Sequence, residues 1–224
     1  METEIVVPDE IAVMTLPEVT FFPQALMPLH IFETRYRQML KTVLATHRIF
    51  AVAGLRPDAD PSEEPAQRIA TAGIVRACNL NHDGTSNLLI QGLTRVEILG
   101  TVSEIPYRTI RVKTLASIAG ATASENSKLR HRVERLIALK RQLGGVMPQG
   151  FTQFLKTVND PEAFIDLAVF TLCDNPDLKQ RLLETLDVKK RLEVFGGILR
   201  HDIDQMALHR RLQGDLPNDD ISNN

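Results

Sequence analysis

HDIDQMALH, residues 201–209, holds the side chains most suited to binding a metal: His201, Asp204 and His209. On a helix, a spacing of three places His201 and Asp204 on one face, and His209 lies about two turns further on. Two imidazoles and a carboxylate are divalent-cation ligands, although a solvated helix face produces the same spacing. Asp58, Asp60, Glu63 and Glu64 form a second cluster. Paired carboxylates can perform general acid–base chemistry when a rigid cleft holds them. These four lie in RPDADPSEEPAQR, 56–68, a polar, proline-rich stretch that reads as a mobile surface loop. KLRHRVERLIALKR, 128–141, brings Lys128, Arg132 and Arg135 near one helix face. That spacing could follow a phosphate backbone, but no aromatic residues interleave and the rest of the chain is balanced in charge, so a wet amphipathic face is the preferred reading.

Other catalytic patterns are missing from the chain. No glycine is followed by lysine, which excludes a Walker A phosphate loop. There is no GxSxG elbow and no HExxH. Cys78 and Cys173 stand alone and suggest neither a disulfide framework nor a thiolate metal site. No catalytic residue, metal or cofactor is therefore expected. A net charge of -2 provides no bulk attraction to nucleic acid or anionic membrane. The N-terminus, METEIVVPDE, has acids where a leader peptide has bases. No window approaches the roughly 18 unbroken apolar residues of a membrane span, so a cytoplasmic protein is expected.

The elements that would position these residues fall into two halves. The first reads as strand: EIVV (4–7), IAVMTL (11–16), 27–32 and RIFAVAGL (48–55). Ala70, Ala72, Ile74, Cys78 and Leu80 share a parity, and Asp83-Gly84 has hairpin chemistry. Leu88, Ile90, Val96 and Ile98 share a face on the return strand, with Gly92 among them marking a bulge or sharp bend. YRTIRVKTL, 107–115, closes the series. One helix interrupts the strands at 33–46, with Tyr36, Met39, Leu40, Val43 and Leu44 as its buried stripe. The second half reads as helix. Gly144-Gly145 and Pro148 stop the first helix, Asp160-Pro161-Glu162 starts another, and Asn175-Pro176-Asp177 restarts the chain. Asp187 caps a last long helix, in which Gly196-Gly197 indicates close packing or a tolerated imperfection. The expected organisation is a strand-rich 1–118, a linker at 119–127, helices at 128–212 and a disordered tail at 213–224.

LPEVTFFPQALMPLHIFETRYRQML resembles the opening of the Lon protease N-terminal (substrate-binding) domain in its stand-alone bacterial form. Leu16-Pro17, Phe22-Pro23, Pro28-Leu29-His30-Ile31-Phe32-Glu33 and Arg35-Tyr36-Arg37 carry the likeness. The Gly-x-x-Arg-Val step at Gly92–Val96, Pro106-Tyr107, and NPDLKQRLLETLDVKKRLEVFGGIL at 175–199 extend it to roughly residues 11 to 210. Gln24 departs from the pattern, because many relatives place glycine after Phe-Pro. The resemblance implies an α+β chain: a PUA-like β-barrel of about six strands with one inserted helix, followed by a C-terminal α-helical bundle. It also implies a chain without the ATPase and protease modules of full-length Lon.

The function so implied is non-catalytic binding of unfolded or partly folded polypeptide, with polypeptide clients or a protease or chaperone as partners, or an adaptor role in proteolysis or quality control. Phe21, Phe22, Met27, Leu29 and Phe32 are the candidate binding residues. Pro23 and Pro28 limit regular pairing there and place the stretch at a sheet edge or across a barrel end. The same side chains could instead seal the strands against the 33–46 helix. PUA-like barrels also suggest nucleic-acid or small-molecule binding, by fold analogy alone.

Overall fold

A computed structural model of the chain describes residues 5–56 and 65–214. The acidic cluster Asp58, Asp60, Glu63 and Glu64, residue 4 of the expected first strand and almost all of the expected tail lie outside the described residues. Among the described residues there are six strands: β1 (Glu10–Leu16), β2 (Leu26–Ile31), β3 (Ile49–Gly54), β4 (Ile69–Leu80), β5 (Ser86–Ser103) and β6 (Thr109–Leu115). The six helices are α1 (Thr34–Ala45), α2 (Ala123–Gln142), α3 (Phe151–Thr157), α4 (Pro161–Leu172), α5 (Pro176–Glu184) and α6 (Val188–Gly214). The chain divides into two units, residues 1–118 with 165–186, and residues 119–164 with 187 onward. This differs from the expected split at 118 and 128, because residues 165–186 group with the sheet.

The six strands form one mixed sheet in the order β2-β5-β4-β3-β1-β6, with a further β5–β6 pairing. The ladder β5–β4–β3–β1–β6 therefore returns to β5 and leaves β2 as an outer strand. Pairs are antiparallel except β1–β3, whose parallel register, Val13 opposite Ala51, needs the β2–α1 segment as its crossover. The 18 residues of β5 are long enough to pair with β2, β4 and β6 in succession. Ile11, Val13, Ile49, Ala51, Ala70, Ala72, Val96, Ile110 and Val112 pack together on one face of this ladder.

Two irregularities reshape the β4–β5 hairpin. Ala72 faces Thr94 while Gly73 faces Gly92, so Leu93 is an extra residue in β5, beside the expected glycine. A side chain on Gly92 would collide with the Phe22 carbonyl oxygen, which makes the glycine a close-approach site as well. The second bulge leaves Arg76 unpaired between Val75 and Ala77. Simple alternation stops there, and Leu80, expected on the core face, is 72% exposed. Residues 5–7 of the expected EIVV strand form no strand, because Pro8 breaks the run before Glu10. Val7 nonetheless packs against the core.

In α1 the buried residues are Tyr36, Met39, Leu40 and Val43, the expected stripe less Leu44, which is only partly covered. In the second unit, helix α2 begins inside the expected linker. Thr122 accepts a hydrogen bond from the Glu125 backbone N–H, and the Glu125 carboxylate accepts one from the Thr122 backbone N–H, a full capping box. Gly144 and Gly145 close α2 with backbone bonds to Arg141 and Lys140. Asp160 caps α4 through the Ala163 N–H, Asn175 caps α5 through Leu178, and Asp187 caps α6 through Lys190. Helix α3 is a single short element that no strong start signal announces.

Candidate functional site: the outer strand

Strand β2 is the outer strand of the sheet, and among the described residues it pairs only with β5. The register sets Leu26, Pro28 and His30 opposite Gln91, Leu89 and Asn87. Proline has no N–H to give the ladder, so Pro28 belongs at a position whose backbone points away from β5. The bond from Gly92 N–H to the Ala25 carbonyl fits that phase, in which odd-numbered residues bond β5. The open edge therefore offers the N–H groups of Leu26 and His30 and the carbonyls of Leu26, Pro28 and His30.

The side chains of the same three residues form the outward face. Leu26 is 52% exposed, Pro28 is exposed, and Phe32, just past the strand, is 62% exposed. The Phe32 ring stacks on His30 with centroids 6.1 Å apart and planes 22° apart. The His30 ring is anchored in turn, with Nδ1 2.8 Å from Asn87 Oδ1. Below it, the Asp83 carboxylate accepts hydrogen bonds from the Thr85 hydroxyl and N–H at 2.7 and 2.9 Å. Those bonds, the hydroxyl's first, hold the Asp83 carboxyl below the usual carboxylate range. The arrangement is an apolar row beside an open strand edge.

The five candidate residues separate by burial. Phe21 and Phe22 are 1% and 0% exposed and belong to the core. Phe21 meets Phe170 edge-on at 6.3 Å, and Phe22 lies 5.8 Å from the Arg95 guanidinium. Met27 is also buried, on the inner face of β2, and Leu29 is half-buried there. Phe21, Phe22 and Met27 are thus covered by the fold, and Leu29 is partly covered. Phe32 remains, joined by Leu26 and Pro28, which hydrophobicity alone did not single out. The period-2 pleat with the edge proline was the signal that could have found them.

The remaining clusters stay apart. His201, Asp204 and His209 are exposed along α6, and among the described residues no three His, Cys, Asp or Glu side chains converge on a metal-sized site. Asp202, between them in sequence, pairs with Lys140 at 2.6 Å. Lys128, Arg132 and Arg135 are exposed on α2, whereas Arg130 is buried. Arg130 donates to the Val158 carbonyl at 2.8 Å and to Glu134 at 3.1 Å, and lies over the Phe164 ring at 4.8 Å. Among the described residues no helix is long and apolar enough to cross a membrane.

Residues 10–201 match the family described as the ATP-dependent protease La (LON) substrate-binding domain. The Lon protease of Dictyoglomus thermophilum is 24% identical over 217 residues, covering 95% of this chain and 27% of the relative. The Lon protease of Syntrophus aciditrophicus is 23% identical, covering 95% and 28%. This chain thus spans about a quarter of the length of these relatives. In fold, the N-terminal domain of Mycobacterium avium complex Lon protease superposes with a TM-score of 0.66 at 16% identity, covering 87% of this chain and 98% of that domain. The Lon N-terminal domain protein from Xanthomonas campestris gives 0.61 at 15% identity, with coverage of 83% and 96%.

Proposed function

Because the chain belongs to the LON substrate-binding domain family, we propose that it is a non-catalytic polypeptide-binding module that takes extended apolar segments along the open edge of β2. The observation that carries this reading is the coincidence, along β2 and its end, of backbone groups unpaired among the described residues and an outward row of Leu26, Pro28 and Phe32. An incoming extended segment would pair with the backbone groups, and alternate apolar side chains would cover the row. Main-chain pairing is tolerant of sequence, which suits recognition of unfolded or partly folded clients. The closed β5–β4–β3–β1–β6 ladder is read as a small barrel, the rigid support that holds this edge in place. A role as an adaptor in proteolysis or quality control follows if the bound client is handed to a protease or chaperone.

The test is binding of a reduced, alkylated and permanently unfolded protein to the purified chain. Leu26→Ser combined with Phe32→Ser should weaken binding by about tenfold, a loss of roughly 1.4 kcal/mol, with the melting temperature unchanged. Unchanged affinity in the folded double variant would remove the edge from the site.

A further inference from the structure

A cleft of about 340 Å³ in the sheet unit lies among the ends of β1 and β3 and the start of α5. None of its lining residues comes from β2. Its walls are apolar and stiff: Pro17, Val19, Leu55, Pro65 and Pro176. A volume of this size is at the lower end of ligand sites, which run from about 300 to 1,000 Å³.

Polar groups with unused capacity line the same cleft. Thr20 is only 6% exposed, yet its hydroxyl has no hydrogen-bond partner among the described residues. The hydroxyl is therefore available to a group that enters the cleft. Gln180, 8% exposed, commits its Nε2 to the Ile69 carbonyl at 3.0 Å and the Glu184 carboxylate at 2.9 Å. Its Oε1 is left as an acceptor, 4.0 Å from where a side chain on Gly54 would begin. Among the described residues, no backbone hydrogen bond outside the Pro17-Glu18 turn involves Glu18, Val19 or Thr20. A sparsely paired stretch of main chain, a hydroxyl and an amide oxygen with acceptor capacity left match the alternating donors and acceptors of a peptide backbone.

The charges choose the side chain. Among the described residues, Glu18 and Asp177 line the cleft with Arg56 as the one cation. Asp177 sits in the first turn of α5, where the helix dipole partly offsets it, so Glu18 carries the surplus negative charge. Glu18 is exposed and holds φ at 56°, at the second central position of a Pro17-Glu18 turn, where glycine would be cheaper.

We propose that this cleft is a binding site for a short peptide segment carrying a lysine or arginine beside apolar side chains. It rests on the polypeptide-binding reading for the class of ligand, but uses residues that the β2 edge does not. A client would engage the edge through its extended apolar stretch and the cleft through a basic residue flanked by apolar ones.

Backbone amide NMR of the full chain, titrated with acetyl-Leu-Lys-Leu-amide, tests the proposal. The amide signals of Val19, Thr20, Gly54 and Leu55 should shift and saturate together. Acetyl-Leu-Glu-Leu-amide should bind at least about fivefold more weakly. Glu18→Gln, an exposed change, and the near-isosteric Thr20→Val should each weaken the lysine peptide by a similar factor, and Glu18→Gly should do so without lowering the melting temperature. Absence of shifts at these amides, equal binding of the two peptides, or full affinity in folded Glu18→Gln and Thr20→Val variants would each overturn it. The unfolded-protein assay separates this outcome from the edge reading: binding lost in Leu26→Ser, Phe32→Ser with no peptide shifts at the cleft rejects the cleft alone. Failure of both assays rejects both.

Discussion

Arg95 grips Asp166 through two parallel hydrogen bonds, Nη1 to Oδ2 at 2.7 Å and Nη2 to Oδ1 at 2.8 Å, with both side chains 1% exposed. Arg95 Nε donates to the Leu183 carbonyl at 2.8 Å. One guanidinium thus ties the sheet to α4 and α5 within the first unit. Asp166→Ala leaves that cation buried without its counter-charge and should cost about 3–5 kcal/mol by urea denaturation. Arg95→Met with Asp166→Leu removes both charges and should cost less than Asp166→Ala alone. Additive losses in the double variant would show that the pair acts through packing instead.

The Phe-rich motif should split in two by function. Phe22→Ala opens a cavity in the core and should cost about 3–5 kcal/mol. Phe32→Ser, at 62% exposure, should shift stability by no more than about 0.5 kcal/mol. Thermal melts of the two variants decide it, and equal destabilisation would contradict the burial difference.

Gln24 holds φ at 64°, a left-handed conformation, at the position where glycine was expected after Phe-Pro. Gln24→Gly should raise stability by about 0.5–1 kcal/mol by relieving the Cβ clash. The same substitution logic runs the other way in α6. A side chain on Gly197 meets nothing within 4 Å, whereas one on Gly196 meets Val133 at 3.4 Å. Gly197→Ala should gain about 0.8–1 kcal/mol in the helix, and Gly196→Ala less. Chemical denaturation of the three variants gives the ranking.

The capping box gives α2 a pH dependence. The Thr122 backbone N–H, and after it the Thr122 hydroxyl, hold the Glu125 carboxyl below its usual range. A carboxyl depressed in the folded state contributes stability that is present above its unfolded pKa, about 4.3. That contribution is lost as pH falls through the lower folded value. Glu125→Gln should therefore be destabilising near neutral pH, and its deficit should shrink as the medium is acidified below about pH 4. A deficit constant across the titration would mean that the charge plays no part.

What the sequence determined by itself was local. Asp160, Asn175 and Asp187 cap the helices they precede because a cap needs only its own next three residues. Pro28 placed β2 on the outside of the sheet because a missing N–H has the same consequence in any fold. Gly92 marked its bulge for a similar reason. Burial was decided only by the tertiary structure. Phe21, Phe22 and Phe32 are the same residue type within twelve positions, and two are sealed while one is open. That difference depends on what the chain brings over them from far away: Phe170 onto Phe21, and Arg95 beside Phe22. Arg95 and Asp166 are 71 residues apart, and neither charge announces that it will be taken out of water. The cleft likewise joins Thr20, Gly54 and Gln180 from three separate stretches. Local rules act over one turn or one pleat, whereas exposure is set by the surfaces that long-range packing leaves uncovered.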